Sequence, residues 1–263
     1  MTQFDKIEYS VTDERAEIVF DRPDVLNAFD AQMLEEITEA LYEAMTDQAV
    51  SVVLLTGNGR GFCSGADVSN MDGRDDRDTP WDYRAHLGMV QNVVRLLYNG
   101  EKPTIAAING PAIGAGCDFA LACDLRVASE EAVLRQQFVN IGLVPGDGGG
   151  WLLPRLIGES KAKEYLLTGK DITPEAALAD GLVVDVVEDG ETRSTARELG
   201  NDIAAKPRTG VRGTKSLVDV SQSFEEYTQA AFERQWECVN DAEHSEAVAA
   251  MREGREPDFD REE

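Results

Sequence analysis

The sequence is poor in the side chains that most often carry metal and acyl-transfer chemistry. It has 2 histidines in 263 residues, His86 and His244, which argues against a histidine-based metal centre or a Ser-His-Asp triad. Its 4 cysteines, Cys63, Cys117, Cys123 and Cys238, show no metal-ligand spacing and sit in apolar contexts. They read as reduced, buried thiols of a cytoplasmic protein. No apolar run approaches the ~18 residues of a membrane span, and no signal peptide is recognisable. Positive charge is scarce as well: 25 Lys and Arg stand against 50 Asp and Glu, a net charge of −25. Phosphate backbones and anionic lipid would be repelled, which sets nucleic acid and membrane aside as partners.

The acidic residues are spread along the chain and do not form a tail. Such a surface suits concentrated salt, where self-repulsion is screened, so a halophilic source is expected; an ordinary acidic cytosolic protein is the alternative. The length allows one large domain, or a domain with an appendage, and a sizeable core. No solenoid-type repeat is present.

Ile7 to Val11 and Ala16 to Phe20 alternate as a strand pair turned at Asp13-Glu14-Arg15. Asp30 is placed to cap a helix over Ala31 to Met45, and Ser51 to Thr56 reads as a buried strand. A glycine-rich loop follows, Gly57 to Val68, then a polar stretch, Ser69 to Pro80, expected to be mobile. Trp81 to Tyr98 has helical periodicity. Thr104 to Ile108 is a short apolar strand, with Gly110, Gly114 and Gly116 crowding the bend after it and a helix starting near Ala115. Leu125 to Ala128 returns to strand composition, and Ala132 to Phe138 fits either class. Gly142 to Gly150 is a further bend before a helix from Trp151 to Ile157. Lys161 to Leu167 and Pro174 to Ala179 read as helices and Leu182 to Val187 as a strand. Thr192 to Ala204, Arg212 to Val220, Phe224 to Val239 and Ser245 to Arg252 read as helices ahead of a charged tail. The order is α/β first and helical last.

Two segments share one form: an apolar strand, a glycine-rich turn, then a small residue where a helix begins. The small residues are Ala66 and Ala115. Two amides from such turns can converge on one oxygen, the requirement of an oxyanion hole. Asp118, just past the second bend, reads as a functional carboxylate or a surface helix residue. Asp147 reads equally as a catalyst or as a cap of the next helix, whose N-terminus would lower its pKa. Asp67 reads as a cap before a catalyst.

Gly61-Phe62-Cys63-Ser64-Gly65-Ala66-Asp67-Val68 and Ile108-Asn109-Gly110-Pro111-Ala112-Ile113-Gly114-Ala115-Gly116-Cys117-Asp118 together resemble the paired signature of the crotonase (enoyl-CoA hydratase/isomerase) superfamily. Arg22-Pro23, Asn27-Ala28, Gly142-Leu143-Val144-Pro145 and Ala179-Asp180-Gly181-Leu182-Val183 fall in the expected order, so the likeness runs through nearly the whole chain. It implies an α/β spiral of repeated ββα units over residues 1–200 and a C-terminal helical region, 201–263, that builds trimers or hexamers. It implies an acyl-CoA substrate with no further cofactor. The thioester oxygen would accept N–H bonds from Ala66 and Ala115 as an enolate forms, each donor contributing ~3–4 kcal/mol. It also implies that backbone near Val25, Leu26, Ala28, Ser64, Ala66, Asp67 and Val68 holds the CoA.

Hydratases of this family use two glutamates around one water. Here the first is Asp118, whose side chain reaches roughly one bond, ~1.5 Å, less far. Phe138 stands at the second and can neither give nor take a proton. Asp147 is the replacement considered. The run Phe138 to Pro145 followed by Trp151 to Gly158 is similar to ring-type isomerases of phenylacetyl-CoA breakdown, and a pocket with Phe138 in place of a charge suits double-bond or ring isomerisation. Thioester hydrolysis or decarboxylation, and a CoA-binding subunit without turnover, are the other readings. At the C-terminus Arg255 reads as a solvated tail charge or a contact for CoA phosphate.

Overall fold

The computed structural model describes residues 3–67, 80–220 and 224–259. Strand β1 (Ile7–Thr12) pairs antiparallel with β2 (Arg15–Phe20). Asp13 and Glu14 both adopt left-handed backbone, φ 50° and 58°, which turns a two-residue hairpin in step with strand twist. From β2 onward the pairing is parallel. With β3 (Val52–Gly57), β4 (Thr104–Ile108), β6 (Leu125–Ser129) and β8 (Asp185–Val187) the sheet runs β1-β2-β3-β4-β6-β8.

Parallel strands need both faces covered, and alternate side chains divide accordingly. Val53, Leu55, Ala106 and Ile108 join the main core with α1 (Ala31–Thr46), α2 (Pro80–Asn99) and α3 (Ala115–Ala122). Val52, Leu54, Ile105 and Ala107 face the other way, onto Ala196 of α7 (Thr192–Ala204). A separate two-stranded parallel sheet pairs β5 (Ala112–Ile113) with β7 (Leu134–Arg135).

Asp30 caps α1 as expected, accepting from the Met33 amide at 3.0 Å. Other boundaries move. The ambiguous stretch 132–138 resolves into β7 and a 3-10 turn, Gln137–Ile141. Helix α4 (Gly149–Ile157) begins two residues before Trp151. The strand expected from Leu182 shrinks to Asp185–Val187, because the Leu182 and Val183 amides are spent on the Ala177 carbonyl at the end of α6 (Pro174–Ala179). Helix α5 (Glu159–Thr168) precedes it. Helices α8 (Arg208–Val220), α9 (Phe224–Val239) and α10 (Ala242–Glu253) close the chain. The expected loop at 69–79 lies outside the described residues.

Cys63, Cys117 and Cys123 are buried and free, and burial pushes each thiol up to about 12. Cys238 is half-buried and free. No helix among the described residues is long and apolar enough to cross a membrane. Arg255 pairs with Glu246 and Glu253 on the surface.

Candidate functional site

Three loops leave the same end of the parallel sheet, and two asparagines sew them together. Asn27 follows Leu26 in left-handed backbone, φ 57° and 53°, a conformation that Asn tolerates better than most residues. Its buried carboxamide donates to the Asn58 and Gly61 carbonyls at 3.0 and 2.7 Å and accepts from the Arg22 amide at 2.8 Å. Asn109, after β4, donates to Gly57 and Gly59 carbonyls at 2.9 and 3.0 Å. The loop after β3 is therefore gripped from both sides.

That loop carries Ala66. The Phe29 amide donates to Gly65 O and the Asp67 amide to Phe29 O, both at 2.9 Å. Successive peptides of an extended segment alternate sides, so the Ala66 N–H is turned away from Phe29. Ala115 opens α3 after Gly114, φ 57°; its N–H is among the first helical donors, which have no acceptor inside the helix. The two turns meet backbone to backbone. A Cβ on Gly65 would lie 2.9 Å from Ile113 O and 3.9 Å from the Ala115 nitrogen, and one on Gly116 would lie 2.1 Å from Cys63 O. Only glycine permits this approach.

One turn into α3 stands Asp118, wholly buried and not the surface carboxylate of the bland reading. Its Oδ2 accepts from the Gly149 amide at 2.9 Å and its Oδ1 from Gln136 Nε2 at 2.6 Å. Burial raises its pKa to about 7, with Asp147 adding to the rise and the two donors opposing it. Asp147 is half-buried, and burial raises it to about 6. Of the two readings of Asp147, the one as a cap of α4 with a lowered pKa is overturned. The capping position belongs to Gly148, which has no side chain, and Asp118 takes the first helical amide from across the site. Gln91 of α2 donates to Gly146 O at 2.9 Å and fixes the loop that carries Asp147.

Phe138 is buried with its ring tip against the Ala115 turn, since a Cβ on Gly114 would lie 3.9 Å from Phe138 Cζ. Asp67 is ion-paired with Arg22 at 3.0 Å. The Val25 and Leu26 carbonyls accept from Ser64 Oγ and N at 3.1 and 3.0 Å, and the Ala28 carbonyl accepts from Arg22 Nη1. The Val25 and Leu26 carbonyls thus tie the first loop to the second, and the Ala28 carbonyl closes the first loop on itself. Val68 lies outside the described residues. A groove of about 730 Å³ between α1 and α2, lined by Leu34, Thr38, Tyr42 and Met89 among others, includes none of these residues.

Sequence reasoning passed over Gln136, Gln91 and the clamp made by Asn27 and Asn109. Asn27 carried one usable signal, an Asn between apolar residues where a loop must turn. The two glutamines carried none, because their roles depend on partners 18 and 55 positions away.

A family model described as enoyl-CoA hydratase/isomerase matches residues 12–262. A short-chain-enoyl-CoA hydratase of Clostridium acetobutylicum is 36% identical over 244 residues, 91% of this chain and 92% of that protein. A 1,2-epoxyphenylacetyl-CoA isomerase of Escherichia coli is 33% identical over 251 residues, 92% of this chain and 93% of that protein. The crystal structure of an enoyl-CoA hydratase from Bacillus anthracis superposes with a TM-score of 0.92 at 30% identity, covering 98% of this chain and all of that one. The fold, the order of its loops and the relatives agree: this chain belongs to the enoyl-CoA hydratase/isomerase family, the crotonases.

Proposed function

We infer that the chain isomerises an acyl-CoA, moving a double bond or opening a strained ring through a thioester enolate. The Ala66 and Ala115 amides are the two donors to the thioester oxygen. Asp147 takes the proton from the α- or γ-carbon. The released electron pair passes into the carbonyl, and the proton returns to another carbon of the same acyl group. The negative oxygen exists only after proton loss, so the two amides favour the transition state over the substrate. The observation that carries this reading is the glycine-only contact between the two turns, with a carboxyl pushed up to about 7 one helical turn beyond.

An acid raised to about 6, as Asp147 is, exchanges protons near neutrality. Phe138 stands where the hydratases of the family carry their second glutamate, which favours isomerisation over two-glutamate hydration. Hydration with Asp118 alone is the second reading, supported by the hydratase relative. The CoA lies along Val25, Leu26, Ala28, Ser64, Asp67 and Val68. The free thiols suit a cytoplasmic location, and the acidic surface suits a halophilic one. Phe232, Trp236 and Val239 make an exposed apolar stripe along α9, and a second copy of the chain covers it in a trimer or hexamer.

Incubation with enoyl-, dienoyl- and ring acyl-CoAs in heavy water, followed by mass spectrometry, tests the reading. Isomerised product carrying deuterium at the α- or γ-carbon is expected. Binding without deuterium uptake would instead mark a silent CoA-binding subunit, and free CoA would mark a hydrolase. Sedimentation of Trp236→Glu beside wild type reads the assembly.

A further inference from the structure

Among the described residues three buried side-chain polar atoms have no hydrogen-bond partner: Tyr9 Oη, Thr192 Oγ1 and Gln136 Oε1. The last belongs to a residue only 1% exposed, whose other terminal atom holds Asp118 at 2.6 Å. Buried polar atoms are rarely left unpaired without a reason. Here the reason is the partner's charge. A carboxylate only accepts, so it takes the Nε2 end of the amide and leaves the oxygen idle; a carboxylic acid has a hydrogen to give, and takes the oxygen end.

We propose that Gln136 is a positioning residue whose carboxamide serves both forms of Asp118, donating through Nε2 to the carboxylate and, turned over, accepting through Oε1 from the acid. The Gly149 N–H stays on Oδ2 in both forms, so only the Oδ1 side rearranges. One O–H bond is made or broken. The proton leaving Oδ1 goes to the acyl group or to Asp147, and it returns in the reverse half of the cycle. Only that destination rests on the proposed isomerase reading.

The surroundings leave the amide as the adjustable element. The start of α4 contributes the Gly149 amide and, just before it, Asp147. Cys117 on the same helix is a neutral thiol whose side chain meets that of Gln136, and Arg126 nearby is spent on carbonyls, Leu182 O and Cys123 O among them. Arg135 of β7 pairs with Asp171. The ionisable residues of α2 whose side chains are described are Arg84 and Arg95, both exposed, His86, half-buried, and Tyr98, half-buried with its ring against Trp151. Strand β5 brings only Ala112 and Ile113. With burial holding Asp118 near 7, both forms are populated at neutral pH, and an amide able to reverse meets each without leaving Asp118 unpaired.

Neutron diffraction from deuterated wild-type crystals at about pH 5 and about pH 9 tests this directly, conditions roughly two units either side of the titration. Deuterium on Asp118 Oδ1 facing Gln136 Oε1 is expected at the lower pH, and ND2 facing a bare carboxylate at the higher. The same amide orientation at both, or an ionised Asp118 at both, would overturn the proposal. Gln136→Met supplies the solution readout. Its kcat is expected to fall at least tenfold with KM within about twofold, and the ionisation in its pH–rate profile is expected to move upward, because the charge-assisted bond lost by the carboxylate is stronger than the neutral one lost by the acid. An unmoved profile would reduce Gln136 to packing. If no acyl-CoA is turned over at all, the isomerase reading fails while the neutron result still decides this one.

Discussion

Asp118 and Glu17 are both buried carboxyls, and their surroundings send them in opposite directions. Glu17 meets three guanidinium groups, Arg15, Arg193 and Arg197, which outweigh burial and hold it at about 2. Asp118 meets only two neutral donors, and burial wins. A carboxyl whose folded pKa is raised stabilises the fold fully below its unfolded value of 3.8 and loses that contribution as pH rises through about 7. The loss amounts to at most about 4 kcal/mol for a shift of roughly three units. Asp118→Asn is therefore expected to gain stability over wild type between about pH 5.5 and about pH 8.5, because its amide keeps the acceptor for Gly149 and gives Gln136 Oε1 a donor, while turnover drops sharply. Parallel melting curves at the two pH values check it; curves that shift together would remove Asp118 as the titrating group. A glycine pair tests the backbone contact. Gly116→Ala places a Cβ 2.1 Å from Cys63 O and is expected to lower Tm by roughly 6–12 °C, about 3 kcal/mol. Gly88→Ala in α2 meets nothing within 4 Å and is expected to raise stability by ~0.5–1 kcal/mol.

Between elements, the Glu17 cluster fastens β2 to α7 across 176 residues of sequence, with Arg193 Nη2 at 2.8 Å and Arg197 Nε at 2.6 Å. Here the folded pKa is lowered, so the contribution is present above the unfolded value of 4.5 and disappears as pH falls through about 2. The shift bounds it at about 3 kcal/mol. Glu17→Gln is expected to melt earlier at neutral pH and to lose most of that difference near about pH 2–3; a constant gap down the pH series would mean that the cluster is only packing. The sequence made both elements legible, a strand over Ala16 to Phe20 and a helix over Thr192 to Ala204, because local periodicity suffices for each. Their union was not legible, since nothing local in an Arg two or six positions along α7 says which carboxylate it will meet. The start of α4 failed for the same reason. Three successive glycines read as a bend, and the acceptor that lets Gly149 begin a helix arrives from α3. Resemblance located Ala66 and Ala115, but it could not reveal the Asn109 clamp. Asn109→Ala is expected to cost about 1–3 kcal/mol, read as the denaturant midpoint, with substrate turnover falling further than stability.

For the molecule as a whole, a net charge of −25 on 263 residues makes self-repulsion a term in every equilibrium. Added salt shortens the Debye length from roughly 10 Å at 0.1 M to ~3 Å at 1 M, so Tm is expected to climb with KCl through that interval and not to fall. A flat response would show that local ion pairs such as Lys215–Asp124 at 2.7 Å already offset the excess. The α/β order was legible at this scale because glycine bends punctuate it, whereas the small β5–β7 sheet was not, each of its strands being two residues long. The meeting of Gly65 with Ile113 and of Gly116 with Cys63 is made of peptides, so mutation reaches it only by adding bulk. Selection can therefore exchange the side chains at 118, 138 and 147, and with them the reaction, while inheriting the proposed carbonyl grip unaltered. A lineage built this way diversifies its chemistry without reinventing its handle on the substrate.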